Sequence, residues 1–197
     1  MRDKYGAYHD RYCYPDSDVL INLLNLKDGD ELAEAEIAFT AERYRTYQSK
    51  LTSIEEFTFS HLKFLHFYLF QDLFRWAGQL REVDISKGET RFCTVPRIEI
   101  EGEKLFKLIP ALSQIDEQEK LIEEVASLFC EINLLHPFRE GNGRVQRFFF
   151  EEMLFVLGYD LTWPELTKEQ WVEANIAGVY LDLEPLKTIF RRAITKL

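Results

Sequence analysis

The stretch His136-Pro137-Phe138-Arg139-Glu140-Gly141-Asn142-Gly143-Arg144-Val145-Gln146-Arg147 decides how this chain is read. Apolar residues at helical spacing precede it (Leu121, Ile122, Val125, Leu128, Phe129, Ile132) and follow it (Val145, Phe149, Met153, Val156). It therefore reads as a tight loop ending at the N-terminus of a helix. Free N–H groups of the first turn and the helix dipole make such an end an anion site. Gly141 and Gly143 can take φ > 0 and bring the backbone close to a phosphate as a nest of donors. Arg144 lies in the first turn with Arg147 three residues on, so both project near the same end of the helix. Two guanidinium forks beside a nest suit a di- or triphosphate better than a single carboxylate.

The other residues of the loop take complementary roles. Glu140, just before the nest, is placed to hold Mg²⁺, which commonly bridges one or two carboxylates to substrate phosphates. His136 is the local group able to take a proton near neutral pH. Pro137 and Phe138 read as a rigid turn and an apolar plug. A base, a metal carboxylate and a phosphate cradle describe transfer of a phosphorus-containing group to a nucleophile. No G-x-x-x-x-G-K-(S/T) occurs, which excludes a P-loop NTPase.

The stretch resembles the signature of Fic-domain proteins, His-x-Phe-x-(Asp/Glu)-Gly-Asn-Gly-Arg-x-x-Arg, at every fixed position. The resemblance covers nearly the whole chain, from Tyr12-Cys13-Tyr14-Pro15 to the last helix. It implies a mainly α, Fic-type helical bundle with a short β-hairpin flap over the active-site loop. It also implies transfer of AMP from ATP to a protein hydroxyl. His136 would deprotonate the acceptor, and Glu140 would bind Mg²⁺ between the α- and β-phosphates. Asn142 and the loop N–H groups would hold those phosphates, with Arg144 on the β- and Arg147 on the γ-phosphate.

At 197 residues the chain reads as one domain, 1–197, with length enough for a core. Hydrophobic residues at 46% argue for a packed globule, and the net charge of −10 disfavours bulk nucleic-acid binding. No apolar run approaches a transmembrane length, and Met1–Tyr5 does not read as a signal peptide. Cys13, Cys93 and Cys130, odd in number and widely spaced, read as reduced thiols of a bacterial cytoplasm, not as a disulfide framework or a zinc site.

Along the chain, Tyr5–Pro15 reads as an arm laid over the body, or a frayed terminus. Ser17–Leu24 reads as a short helix, with Asp30 as N-cap of a helix over Glu31–Gln48. The most apolar helix spans Thr58–Trp76 and stops at Gly78. It carries a Leu62, Leu65, Leu69, Leu73 stripe, and His61 and His66 as surface or hydrogen-bonded core residues. Between residues 81 and 98 the period changes, and Val83–Ser86 and Arg91–Val95 read as a hairpin around Lys87-Gly88-Glu89-Thr90. Helices follow over Glu99–Leu112, Glu117–Asn133 and Asn142–Leu157, the last stopped by Gly158. Glu151 and Glu152 read as its solvated face. Thr167–Gln170 is a capping box opening a helix to about Tyr180, and Pro185 starts the last helix, with Arg191 and Arg192 at its end.

The resemblance carries further implications. The hairpin occupies the place of the flap, which covers the nucleotide and aligns a target protein by backbone pairing, and it puts Lys87 and Thr90 toward the nucleotide. Asn175 falls in the adenine pocket. In length and order the chain is similar to Fic toxins of toxin–antitoxin pairs and to Fic domains of Bartonella-type effectors translocated into host cells. In the first branch the targets would be DNA gyrase and topoisomerase IV, in the second host proteins. Family members are restrained by a helix bearing (Ser/Thr)-x-x-x-Glu-(Gly/Asn), whose Glu pairs with the arginine at position 147. Here Thr52…Glu56 is followed by Phe57 and Ser127…Glu131 by Ile132, so that helix would come from a separate small antitoxin. Two alternatives stand beside adenylyl transfer. One is a Doc-like phosphotransferase, against which Gly143 counts because the Doc branch carries lysine there. The other is a non-catalytic nucleotide-binding module, against which the intact His136 counts.

Overall fold

The computed structural model describes residues 11–197, and Tyr5–Asp10 of the expected arm lie outside them. Among the described residues there are seven α-helices and two small antiparallel sheets. Helix α1 (Gly29–Thr46) opens on Asp28, whose carboxylate accepts from the N–H groups of Asp30 and Glu31. Helix α2 (Phe59–Phe70) is capped by Thr58, which accepts from His61 N–H. Strands β1 (Ser86–Lys87) and β2 (Thr90–Arg91) pair antiparallel, Ser86 with Arg91 and Lys87 with Thr90, around Gly88-Glu89. Helices α3 (Ile98–Phe106), α4 (Gln118–Leu135) and α5 (Asn142–Val156) follow. Strand β3 (Tyr159–Leu161), α6 (Lys168–Val179), α7 (Glu184–Ala193) and β4 (Ile194–Lys196) complete the order, with β3 paired antiparallel to β4.

Helix α5 lies at the centre. Phe149, Phe150, Met153 and Leu154 are fully buried, as are Leu62 and Leu65 of α2 and Val125 and Ala126 of α4. The Phe149 ring meets Phe57 at 5.5 Å and Phe106 at 5.3 Å, and Phe150 sits edge-on to Phe129 at 5.1 Å. Edge-to-face contacts of this kind add about 0.5–1.5 kcal/mol each beyond area burial. Because α5 is held on several sides, the loop at its N-terminus has a rigid footing. No helix among the described residues is long and apolar enough to cross a membrane.

Several expectations are corrected. Ser17–Leu24 is not a helix: Tyr14 N–H donates to Val19, Ile21 N–H to Tyr12 and Leu23 N–H to Leu73, with Cys13 and Leu20 forming a β-bridge. Asn22 takes the local backbone for itself, bonding Leu20 and Leu26, and such bonds compete with a helix. The α1 cap is Asp28, not Asp30. Helix α2 stops at Phe70 instead of running to Trp76, and Gly78 lies past a series of turns. The Leu73 site stays buried although the helix has ended, so the apolar stripe overstated its length. Gly78 (φ 78°) passes so close to Phe67 Cβ that a side chain would not fit, and its N–H donates to His66 Nδ1 at 2.8 Å. Pro110 breaks the expected Glu99–Leu112 helix into α3 and a 3₁₀ segment, Ile109–Gln114. The β3–β4 pair was not expected from the sequence, because three-residue strands show no period.

Glu151 and Glu152 are not a solvated face. Glu152 is buried, with Tyr47 Oη, Ser49 Oγ and His61 Nε2 on its carboxylate. Glu151 is half-buried, accepts from Tyr44 and Trp163, and is raised by that burial.

Candidate active site

Helix α4 ends at His136, which adopts the left-handed region (φ 42°, ψ 61°). A non-glycine residue there is strained by about 1–3 kcal/mol, a cost met mostly at functional sites. The turn swings the chain from α4 into the loop and leaves the imidazole facing the cavity. Nδ1 lies 3.0 Å from the Asn133 carbonyl, which fixes the proton on Nδ1 and leaves the lone pair on Nε2. Burial pushes the pKa of His136 down to about 3, helped by the charges of Arg81 and Lys87 and opposed by Asn133 and Glu140. The ring is therefore neutral at physiological pH.

Asn142 closes the loop. Its Oδ1 accepts from Phe138 N–H at 2.9 Å and its Nδ2 donates to the Phe138 carbonyl at 2.8 Å. The side chain is thus a two-way staple that holds the loop closed. From behind, His66 is fully buried and stacks on Phe138 with ring centroids 3.9 Å apart. Its Nδ1 accepts from Gly78, so its Nε2 donates to the Glu140 carbonyl at 2.9 Å. His66 is pushed down to about 3 by burial, so it stays neutral and serves as a prop.

The glycines differ. Gly141 (φ 79°) is the left-handed cap of α5, whereas Gly143 has helical dihedrals, so φ > 0 occurs at the first only. A Cβ on Gly141 would enter the Phe70 ring, while one on Gly143 would meet only Arg147 Nη1 at 3.5 Å. The first-turn N–H groups of Asn142 and Gly143 have no intrahelical acceptor.

The arginines differ too. Arg144 pairs with Glu36 of α1, lies 3.6 Å from Glu140 and covers the Phe70 ring at 4.8 Å. Arg147 is largely buried beside Trp171, 5.7 Å from its ring centre, with no carboxylate within ion-pair distance among the described residues. Burial lowers its pKa, the signature of a desolvated cation. The Glu140 carboxylate accepts from Gly141 N–H at 2.9 Å. Among the described residues no cluster of three acidic, Cys or His side chains could hold a metal alone. One buried hard-oxygen carboxylate beside a phosphate cradle nevertheless fits Mg²⁺, which takes most of its ligands from water and phosphate.

These residues share a cavity of about 580 Å³, within the usual range for a small-molecule site. His136, Glu140, Gly141, Asn142, Gly143, Arg144 and Arg147 line it together with Lys87 and Thr90 of the flap. Leu166, Val172, Ile176 and Val179, with Trp171, form an apolar wall suited to a base, and Asn175 stands among them. Phe92 of the flap lies parallel on His136, ring centroids 3.8 Å apart. His66 is the hydrogen-bonded core histidine that was one of the two expectations for it, whereas sequence reading missed Arg81, Asn133, Lys168 and Trp171. Only Lys168 carried a local signal, its place in the capping box of α6.

The profile of the Fic/DOC family matches residues 56–154, and the chain belongs to that family. It is 40% identical over its whole length, and 98% of the relative's, to the "Probable protein adenylyltransferase Fic" of Escherichia coli K12. It is 32% identical, over 98% of this chain and 41% of the relative, to the "Protein adenylyltransferase VbhT" of Bartonella schoenbuchensis. The fold matches the N-terminal Fic domain of a Bartonella quintana effector solved with bound ADP. There the TM-score is 0.84 and the identity 25%, over 94% of each chain.

Proposed function

We propose that this chain transfers AMP from ATP to a hydroxyl side chain of a target protein. The observation that carries the proposal is the single cavity in which a neutral histidine, a buried carboxylate, a helix N-terminus and a desolvated arginine face one another. The kinship with relatives named as protein adenylyltransferases agrees with it.

In this reading the adenine lies against Trp171 and the apolar wall of α6. The N–H groups at the start of α5 hold the α- and β-phosphates, Arg144 assists on the β-phosphate, and Arg147 takes the γ-phosphate. Lys87 and Thr90 close over the nucleotide. Glu140 would hold Mg²⁺, which when bound offsets charge on the phosphates. The acceptor oxygen attacks the α-phosphorus in line and gives its proton to Nε2 of His136. The bond from the α-phosphorus to the bridging oxygen breaks, and pyrophosphate leaves. Positioning and fixed dipoles supply most of the acceleration.

The target would dock along the flap. A second cavity of about 620 Å³ runs beside β2, lined by Arg91, Cys93, Thr94 and Leu134, and shares Phe92 with the first. A segment extended there would pair with β2 and bring its hydroxyl to His136. Restraint by a separate antitoxin helix, aimed at Arg147, belongs to the same proposal, as does a bacterial cytoplasmic or translocated setting. Product analysis tests the reaction: pyrophosphate should form in step with modified target and vanish in His136→Ala. Release of ADP instead would mean phosphoryl transfer.

A further inference from the structure

We propose that Arg81 is the residue that positions His136, by tying both legs of the flap to the backbone of the catalytic histidine. The inference rests on the reading of His136 as the base. Arg81 is 1% exposed. Its guanidinium spends its donors on carbonyls of three separate segments: Nε to His136 at 2.8 Å, Nη1 to Val83 at 2.8 Å, and Nη2 to Cys93. Its own N–H donates to the Pro137 carbonyl at 2.9 Å. Asp84 is 3.8 Å away and largely exposed, whereas the three carbonyls sit at hydrogen-bond distance from the guanidinium. Burying a guanidinium is costly unless its donors are matched, which makes an ornamental role a poor explanation.

The geometry couples three things. The strained turn at His136 is held at its N–H by Ile132 O, 3.1 Å away, and at its carbonyl by Arg81. With both flanking peptides fixed, the ring keeps the direction in which Nδ1 meets Asn133. By holding Cys93, Arg81 also places the neighbouring Phe92, which covers the imidazole. One side chain thus sets the backbone beneath the base and the ring above it. A lysine carries the charge but not the planar fork, so it cannot reach three carbonyls.

The test compares wild type with Arg81→Ala and Arg81→Lys in AMP transfer, ATP affinity and ¹⁵N-histidine spectra. The expected result is a fall in kcat of about 100-fold in both variants, with ATP affinity within about threefold of wild type. Guanidinium ion added to Arg81→Ala should restore part of the rate. The His136 ring should show one tautomer, protonated at Nδ1, in wild type and a mixture in the variants. Should Arg81→Ala not fold, Arg81→Lys carries the comparison. Unchanged kcat, or equal losses of rate and ATP affinity with the tautomer intact, overturns the proposal. If wild type transfers no AMP, the functional reading has failed, and the tautomer alone still decides whether Arg81 fixes the ring.

Discussion

Phe92 lies flat on the imidazole of His136, with ring centroids 3.8 Å apart and planes 15° from parallel. The flap therefore dries the base before any target arrives. Since burial holds His136 at about 3, its lone pair is available throughout the physiological range. The expected pH profile of kcat is flat between about pH 6 and pH 8, where an ordinary histidine would titrate. Phe92→Ala admits water, lets the pKa rise toward its usual value, and should bring a fall in rate as pH drops below about 6.5. A wild-type inflection near pH 6.5 would contradict this account of the base.

Arg144 is paired with Glu36 of α1, whereas Arg147 has no such carboxylate among the described residues. An anion arriving at Arg144 must share the guanidinium with Glu36. Glu36→Gln should tighten ATP binding by several-fold, about 1 kcal/mol for a partly exposed pair. Arg147→Ala should weaken it. Calorimetric titration of the two variants checks the order.

Gly141 and Gly143 should respond oppositely to alanine. Gly141→Ala combines a left-handed backbone with a clash against Phe70 and should cost about 2–4 kcal/mol in urea unfolding. Gly143→Ala has room and helical dihedrals, so stability should hold or rise by up to about 1 kcal/mol. Its methyl group enters the space for phosphate, so transfer should still fall.

Two histidines, His66 and His136, are held near 3 by burial, against an ordinary value of 6.5. Below pH 6.5 the unfolded chain takes up these protons while the folded chain does not. Stability is therefore full above pH 6.5 and falls as pH drops toward 3, by up to about 1.4 kcal/mol per pH unit for each histidine. Asp72, lowered by Arg43, and Glu152, raised by burial but lowered overall by His61, Ser49 and Tyr47, join as pH falls through and below the usual carboxylate range. Glu151, raised by burial, works in the opposite sense. Urea midpoints at several pH values should show this slope, and His136→Ala should remove about one proton's share.

The loop from His136 to Arg147 was legible because glycine, carboxylate and arginine at fixed spacing leave few other readings. The apolar periods of α4 and α5 framed it. The change of period marked a hairpin, but its strands are Ser86–Lys87 and Thr90–Arg91, not the longer Val83–Ser86 and Arg91–Val95. That Lys87 and Thr90 turn to the cavity was implied by the resemblance alone. What stayed hidden depends on contacts distant in sequence. Glu152 looked solvent-facing because nothing local announces Tyr47, Ser49 and His61 gathering on it. Arg81 gave no local sign because two of the carbonyls it holds, those of Cys93 and His136, are distant in sequence. Helix α2 ended early because tertiary bonds, such as Gly78 N–H to His66, outweigh local propensity.

The most direct measurement feeds the purified chain, Mg²⁺ and a bacterial lysate with α-labelled and γ-labelled ATP in parallel, beside His136→Ala. The account predicts label on protein from the α position only, lost in the variant. Label from the γ position, or α label that survives the loss of His136, would contradict it.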